Sequence, residues 1–441
     1  MLKRQQLSYL FYTLVLISIA CTSQGGKDLE AYIRDKSHPL ATATDLDALI
    51  EKAGQRRVVL LGEASHGTHE YYIWRDSISR RLIAEKDFRF IAVEGDFASL
   101  YELNRYVKNM DGAAASAREV LENLDRWPRW MWGNEEIVGL AEWLRAYNDQ
   151  RPQEQKVGFY GMDVYDEWRS KDVLLAYLER HQPELFSQVK DYYSCFATYH
   201  GDSWAYAQSV QRGLPACDQQ AQRVVALLEE SGDAFAEVPD FEYFYVLQNA
   251  YVKANAEKFY RKSITRRDAS SWNARVTHMH ETVNRLLDLY GDNARGIVWA
   301  HNTHVGDARY TDMQGNNSKN IGQLSREHHG PENVFSVGFT TYKGRVLAGS
   351  SWESRMQNMR VASAQKNSVE HLMQKTGNRS FYLIFDEEDR RNEDFIQPMG
   401  HRAIGVVFNP ANEPRQYVPT IVPLRYDAFI FFYETRILNA L

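Results

Sequence analysis

The sequence predicts an α/β protein with a mostly parallel central sheet flanked by helices and a mainly helical insertion. Three observations carry this. Short apolar runs such as Val58–Leu61, Phe90–Val93, Val157–Met162 and Gly296–Ala300 read as buried strands and recur along the chain. Segments of helical period separate the first three. Between Trp168 and Leu289 the strand signal vanishes and only helical periodicity remains.

Taking the elements in order, residues 1–20 read as a signal peptide rather than as fold. Lys3 and Arg4 precede the apolar stretch Leu10–Ala20, which is too short to span a bilayer as a mature helix. The stretch ends in Ser18-Ile19-Ala20-Cys21, which looks like a bacterial lipoprotein signal. Cys21 is therefore the expected lipidation site, and 21–30 a lipid-anchored tether in the cell envelope. Plain secretory cleavage after Ala20 is the alternative. Export also bears on Cys195 and Cys217. Pairing them would close a loop of roughly 20 residues, worth about 3 kcal/mol in the chain-entropy view, whereas unpaired they would be two buried thiols.

The α/β body then occupies 31–167 and 291–441, with the helical insertion over 168–290. Residues 28–55 read as a helical lead-in. Val58–Leu61 ends in Gly62-Glu63, and Tyr71, Trp74, Ile78 and Leu82 share one face of the next helix, for which Ser65 reads as the N-cap. Phe90–Val93 ends in Glu94, making a strand–helix–strand unit. Asp125–Gly133 (DRWPRWMWG) reads as a loop or helix break. Val157–Met162 ends in Asp163, Gly296–Ala300 in His301, and Phe381–Phe385 in Asp386. Asn333–Val337, Ala403–Phe408 and Ala428–Tyr433 are further apolar runs.

Parallel strands align their carboxyl ends, and open α/β sheets bind ligands there. Glu63, His66, Glu94, Asp163, His301 and His304 all follow strands, so one sheet edge should gather them. His66 lies in a Gly-bounded turn and suits a general base. Glu63 or Glu94 would orient it, and His301 and His304 would hold an oxyanion, protonate a leaving group or bind a metal. The set also contains enough ligands for zinc or iron, although no HExxH or CxxC spacing occurs. A serine nucleophile has no Gly-x-Ser-x-Gly elbow, and no glycine fingerprint marks a dinucleotide site. A formal net charge of -6 without a basic block argues against nucleic acid as a partner.

Together these segments resemble the erythromycin esterase family. The matches are LGEASHGTHE at Leu61–Glu70, AVEGD at Ala92–Asp96, GMD at Gly161–Asp163, NARVTHMHE at Asn273–Glu281, VWAHNTHVGD at Val298–Asp307, SVGFTTYKG at Ser336–Gly344 and RYDAFIFFYETR at Arg425–Arg436. The resemblance implies a helical lobe over the active-site cleft. It also implies metal-independent and cofactor-free hydrolysis of a small-molecule ester, in the best-known members the lactone of macrolide antibiotics. His66 would be the base that activates water, Glu63 and Glu94 its carboxylates, and His301 and His304 the second histidine pair. Arg75, His69 and Asp163 would contact substrate. Where the family tends to read Asn-x-Arg-Asp, this chain has Asn273-Ala274-Arg275-Val276. Two other readings use the same residues: a lipoprotein that binds haem or a metal without turnover, and a metal-dependent hydrolase or peptidase.

Overall fold

The computed structural model describes residues 29–441. The expected signal peptide, the Cys21 lipidation site and all but the last two residues of the expected tether lie outside that range. Those last two, Leu29 and Glu30, already belong to a helix, Leu29–Lys36. No helix among the described residues is long and apolar enough to cross a membrane.

The strands in chain order are β1 His38–Pro39, β2 Val58–Leu61, β3 Phe90–Asp96, β4 Gly158–Asp163, β5 Gly296–Trp299, β6 Val334–Gly349, β7 Met356–Val361, β8 Ser380–Ile384, β9 Met399–Arg402, β10 Tyr417–Thr420 and β11 Ala428–Thr435. Nine of them form one sheet in the order β1-β8-β11-β6-β2-β5-β3-β4, with β7 hairpinned onto β6, while β9 and β10 pair separately. From β11 to β4 every neighbouring pair is parallel. Only β1, β7 and β8 join antiparallel. The expected mostly parallel α/β sheet is thus the architecture of the protein.

Burial explains the parallel core. β2, β4 and β5 are buried throughout, which requires cover on both faces. Successive side chains point to opposite faces. Val59 and Leu61 join a core with Ile91, Val93 and Trp299, whereas Val58 and Leu60 join another with Phe90, Ala92 and Val298. The first core is closed by helices His69–Lys86 and Glu135–Asn148, the second by Ser270–Leu289. Asn134 caps the second of these helices by accepting from the Ile137 amide at 2.9 Å.

The strand–helix–strand unit has one topological feature that the sequence did not disclose. β2 and β3 are joined by His69–Lys86 but are not adjacent, because β5 lies between them and pairs with both. The chain leaves β4, runs through helices from Glu167 to Leu289 with no strand among the described residues, and returns as β5. The helices between Glu167 and Thr265 share a core of their own, including Leu174, Leu178, Val224, Leu228 and Val246. Within it Cys195 and Cys217 form a disulfide.

Two expectations need correction. Ser65 does not cap the helix; Thr68 is the N-cap and the helix begins at His69, while the Ser65 hydroxyl bonds that of Thr68. The lead-in is not wholly helical, since β1 pairs with β8 at the sheet edge.

Candidate active site

Insertion of β5 between β2 and β3 determines the site. The ends of these strands carry Glu63, Glu94 and His301 side by side, with Asp163 at the end of β4. Gly62 allows the close approach: a Cβ there would collide with the Asn302 side chain, which is fixed by donating to the Phe339 carbonyl at 2.7 Å. The Asn302 amide donates to the Glu63 carbonyl at 2.8 Å, tying the two strand ends together. Gly67 serves the same purpose in the His66 loop, where a Cβ would strike the Leu347 backbone.

His66 Nδ1 lies 2.9 Å from Glu63 Oε1, and Arg75 Nη2 donates to Glu63 Oε2 at 2.9 Å. Glu63 is fully buried behind the histidine and Arg75 behind the carboxylate. The Arg75 guanidinium is sandwiched 4.4 Å from the Tyr72 ring and 4.7 Å from that of Trp299. With Nδ1–H donating to Glu63, Nε2 of His66 is left to accept a proton. Burial disfavours its protonation, but the Glu63 hydrogen bond and the charges of Glu63 and Glu94 outweigh burial, and the pKa stands above the ordinary 6.5.

The His301 ring lies 5.0 Å from that of His66. The Thr303 amide donates to His301 Nδ1 at 3.2 Å, which assigns the proton of the neutral ring to Nε2. That Nε2 is buried without a hydrogen-bond partner. Burial and the neighbouring His66 charge hold the His301 pKa well below 6.5, so the ring stays neutral.

Glu94 organises the other side. It accepts from the His301 amide at 2.9 Å and from Arg275 Nη2 at 3.0 Å, and it lies 3.1 Å from His304 Nε2. Burial would raise its pKa, but His304, His66 and Arg275 reverse that and keep the carboxyl well below its usual range. Arg275 also grips Asp163, with Nε to Oδ1 at 2.8 Å. His304 stacks on Trp272 at 4.8 Å. These groups line a cleft of about 390 Å³ that holds His66, Glu94, Asp163, Arg275, His301 and His304.

Of the residues expected to contact substrate, only Asp163 lines this cleft. His69 instead places Nδ1 2.6 Å from Glu136, because it is the first residue of its helix and turns toward Glu135–Asn148. Arg75 is enclosed beneath Glu63. Arg275 and Trp272, on the helix Ser270–Leu289, are the cleft residues that strand-end reasoning missed. No group of three or more His, Cys, Asp or Glu side chains among the described residues is arranged to hold a metal ion. Each cleft carboxylate is already engaged by a guanidinium or an imidazole.

A family model described as erythromycin esterase matches residues 83–435. The match begins within the helix that follows the His66 loop, so the placing of Glu63 and His66 stands on geometry. An erythromycin esterase type II from Escherichia coli is 27% identical over 141 residues, and the match spans 31% of this chain and 31% of that protein. Among solved structures, a Bacillus cereus protein has a TM-score of 0.77 at 19% identity, covering 94% of this chain and 98% of its own. A succinoglycan biosynthesis protein has a TM-score of 0.74 at 19% identity, covering 94% and 100%. An erythromycin esterase mutant in its open conformation has a TM-score of 0.64 at 14% identity, covering 90% and 95%. At such identities the structures speak for the fold, and the family match speaks for descent. With most of its length inside the family model, this chain belongs to the erythromycin esterase family.

Proposed function

We propose that the protein is a carboxylic-ester hydrolase in which His66 activates water without a metal or other cofactor. One observation carries the reading: a buried Glu63–His66 pair faces a neutral His301 with an unpartnered Nε2 across one cleft. His66 Nε2 takes a proton from water, and the hydroxide attacks the ester carbonyl. The oxyanion then accepts a hydrogen bond from His301 Nε2–H. Collapse expels the alkoxide, which takes its proton from the His66 imidazolium, returning the histidine to neutral. Glu63 stabilises that imidazolium, and Glu94 with Arg275 fixes His304 and the His301 turn.

Family membership supports an ester, and macrolide lactones are the first substrates to try. Purified protein should open a macrolide or cleave a simpler ester, and His66→Ala should lose on the order of 100- to 10,000-fold in rate. Undiminished turnover by that variant rejects the mechanism. Chelator should leave the rate unchanged; loss that zinc restores would move the reading to a metal-dependent hydrolase. We also propose export with lipid attachment at Cys21, a setting in which the Cys195–Cys217 disulfide would persist. Labelling with a radioactive fatty acid should mark the protein and spare Cys21→Ala.

A further inference from the structure

A second, larger groove of about 1090 Å³ adjoins the His66 cleft and shares Arg126, Tyr165 and Trp352 with it. Two tryptophans in its lining, Trp204 and Trp352, are 47% and 57% exposed, high values for a side chain that is usually well buried. Both rings are supported from behind. Trp204 meets Tyr260 edge-on at 5.0 Å, and Trp352 packs on Trp127 at 4.7 Å. Trp127 is held in turn by its Nε1–H, which donates to the Ser354 carbonyl at 3.0 Å.

The pairing of the lining groups selects the ligand. The charged groups are largely matched within the protein. Arg126, the only lysine or arginine that lines the groove among the described residues, donates to Asp96 at 2.7 Å. Asp125 accepts from Arg169 at 3.0 Å and Asp202 from the Ala205 amide at 2.8 Å, while Asp166 accepts from the Ser99 hydroxyl and Glu167 from that of Ser203. Lys253 covers the Trp168 ring at 3.6 Å. An anion therefore finds no free cation, and a cation finds most carboxylates already engaged. Neutral donors remain. The indole N–H of Trp204 and of Trp352 and the hydroxyls of Tyr165 and Tyr260 have no partner among the described residues. Burial pushes both phenols up, so each keeps its proton. A wholly apolar occupant would cover these donors without satisfying them, at about 1–3 kcal/mol for each one buried. A sugar ring meets both needs. Its C–H face packs on a flat indole, and the oxygens on its rim accept from donors at the ring edges. Its own hydroxyls can donate to Glu353, which has no partner among the described residues, and to the spare lone pairs of the paired carboxylates.

We propose that this groove seats the sugar of an O-acylated neutral saccharide, stacked on Trp204 and Trp352, while its ester carbonyl lies beside His66 in the adjoining cleft. Hydrolysis there consumes one water and releases the carboxylic acid and the free sugar hydroxyl, whose alkoxide takes its proton from the His66 imidazolium. The saccharide's role as substrate rests on the hydrolase reading, but its binding can be measured without turnover. Cellohexaose, xylohexaose and maltohexaose, each titrated calorimetrically into the full protein, test the binding, and at least one should bind. Trp204→Ala and Trp352→Ala, both at exposed positions, should each weaken it by about fivefold or more. The bound oligosaccharide, randomly acetylated so that the ester is offered at every ring position, should be hydrolysed with about tenfold higher kcat/KM than cyclohexyl acetate, whose ring is the same size but carries no hydroxyls. Trp204→Ala should lower that ratio about fivefold. Binding by none of the three oligosaccharides, binding that either variant leaves intact, tighter binding of benzyltrimethylammonium, or an active esterase without preference for the acetylated sugar each overturns the proposal. Variant-sensitive oligosaccharide binding in a protein that cleaves no ester would support the groove and retire the hydrolase reading.

Discussion

His66 Nδ1 and Glu63 Oε1 are 2.9 Å apart, both residues are buried, and the carboxylate has Arg75 on its far side. A carboxylate so placed raises the imidazole pKa and pins its tautomer, leaving Nε2 free to act as the proposed base. Glu63→Gln keeps the shape and removes the charge. The histidine must be neutral to accept a proton, so the acidic limb of kcat/KM should lie above the ordinary 6.5 in the wild type. In Glu63→Gln it should move to lower pH, while kcat falls by on the order of 100-fold or more because the imidazolium loses its partner. A pH–rate profile of both proteins reads this directly. A limb that stays in place would remove Glu63 from the assigned role.

His301 supplies a different kind of term. Its Nε2 is unpartnered in the free protein, so in the proposed mechanism its bond to the reacting oxygen would form with substrate and strengthen as charge develops. His301→Ala should therefore lower kcat by on the order of 100- to 1,000-fold with little change in KM. A rise in KM at constant kcat would instead mark His301 as a ground-state contact.

The strand ends made half of this site legible. Glu63, Glu94, Asp163 and His301 each close an apolar run, and sheet pairing alone brings such positions together. The interposed β5 was not legible, because connectivity says which strands follow one another and not which pair. Arg275 stood in a quoted motif, yet nothing local says that a residue on a helix more than a hundred positions after β4 reaches back to Asp163. His69 and Arg75 were misplaced for the same reason. One turn of helix decides whether a polar side chain faces the cleft, Glu136 or the underside of Glu63. β7 was missed because MQNMRV is mostly exposed and lacks the apolar signal that marks a strand.

A buried pair outside the cleft sets an acid dependence of stability. Glu370 Oε1 lies 2.8 Å from His401 Nδ1 and accepts from Thr340 Oγ1 at 2.7 Å and the Arg402 amide at 2.9 Å. Burial opposes ionisation, but His401, Arg402 and Thr340 outweigh it, and the carboxyl pKa falls from 4.5 to about 2. A depressed folded-state pKa gives stability that is complete above the unfolded value and lost as pH falls through the folded one. Glu370→Gln should cost most near neutral pH, and the gap to wild type should narrow between pH 4.5 and 2 in denaturant titrations. A gap that does not depend on pH would assign the loss to packing alone.

The disulfide offers a test that separates stability from chemistry. Cys195 and Cys217 sit 22 residues apart among helices that share their own core, away from the residues that line the catalytic cleft. Closing that loop restricts the unfolded chain and should contribute about 3 kcal/mol. The double variant Cys195→Ser, Cys217→Ser should melt lower by on the order of 5 °C. Its kcat on a small ester, assayed well below the melting range, should match wild type, because no cleft group moves. Reductant should lower the melting temperature of the wild type to a similar degree and leave the variant unaffected. Equal melting of oxidised and reduced wild type would show that the helical core alone sets the stability of this region.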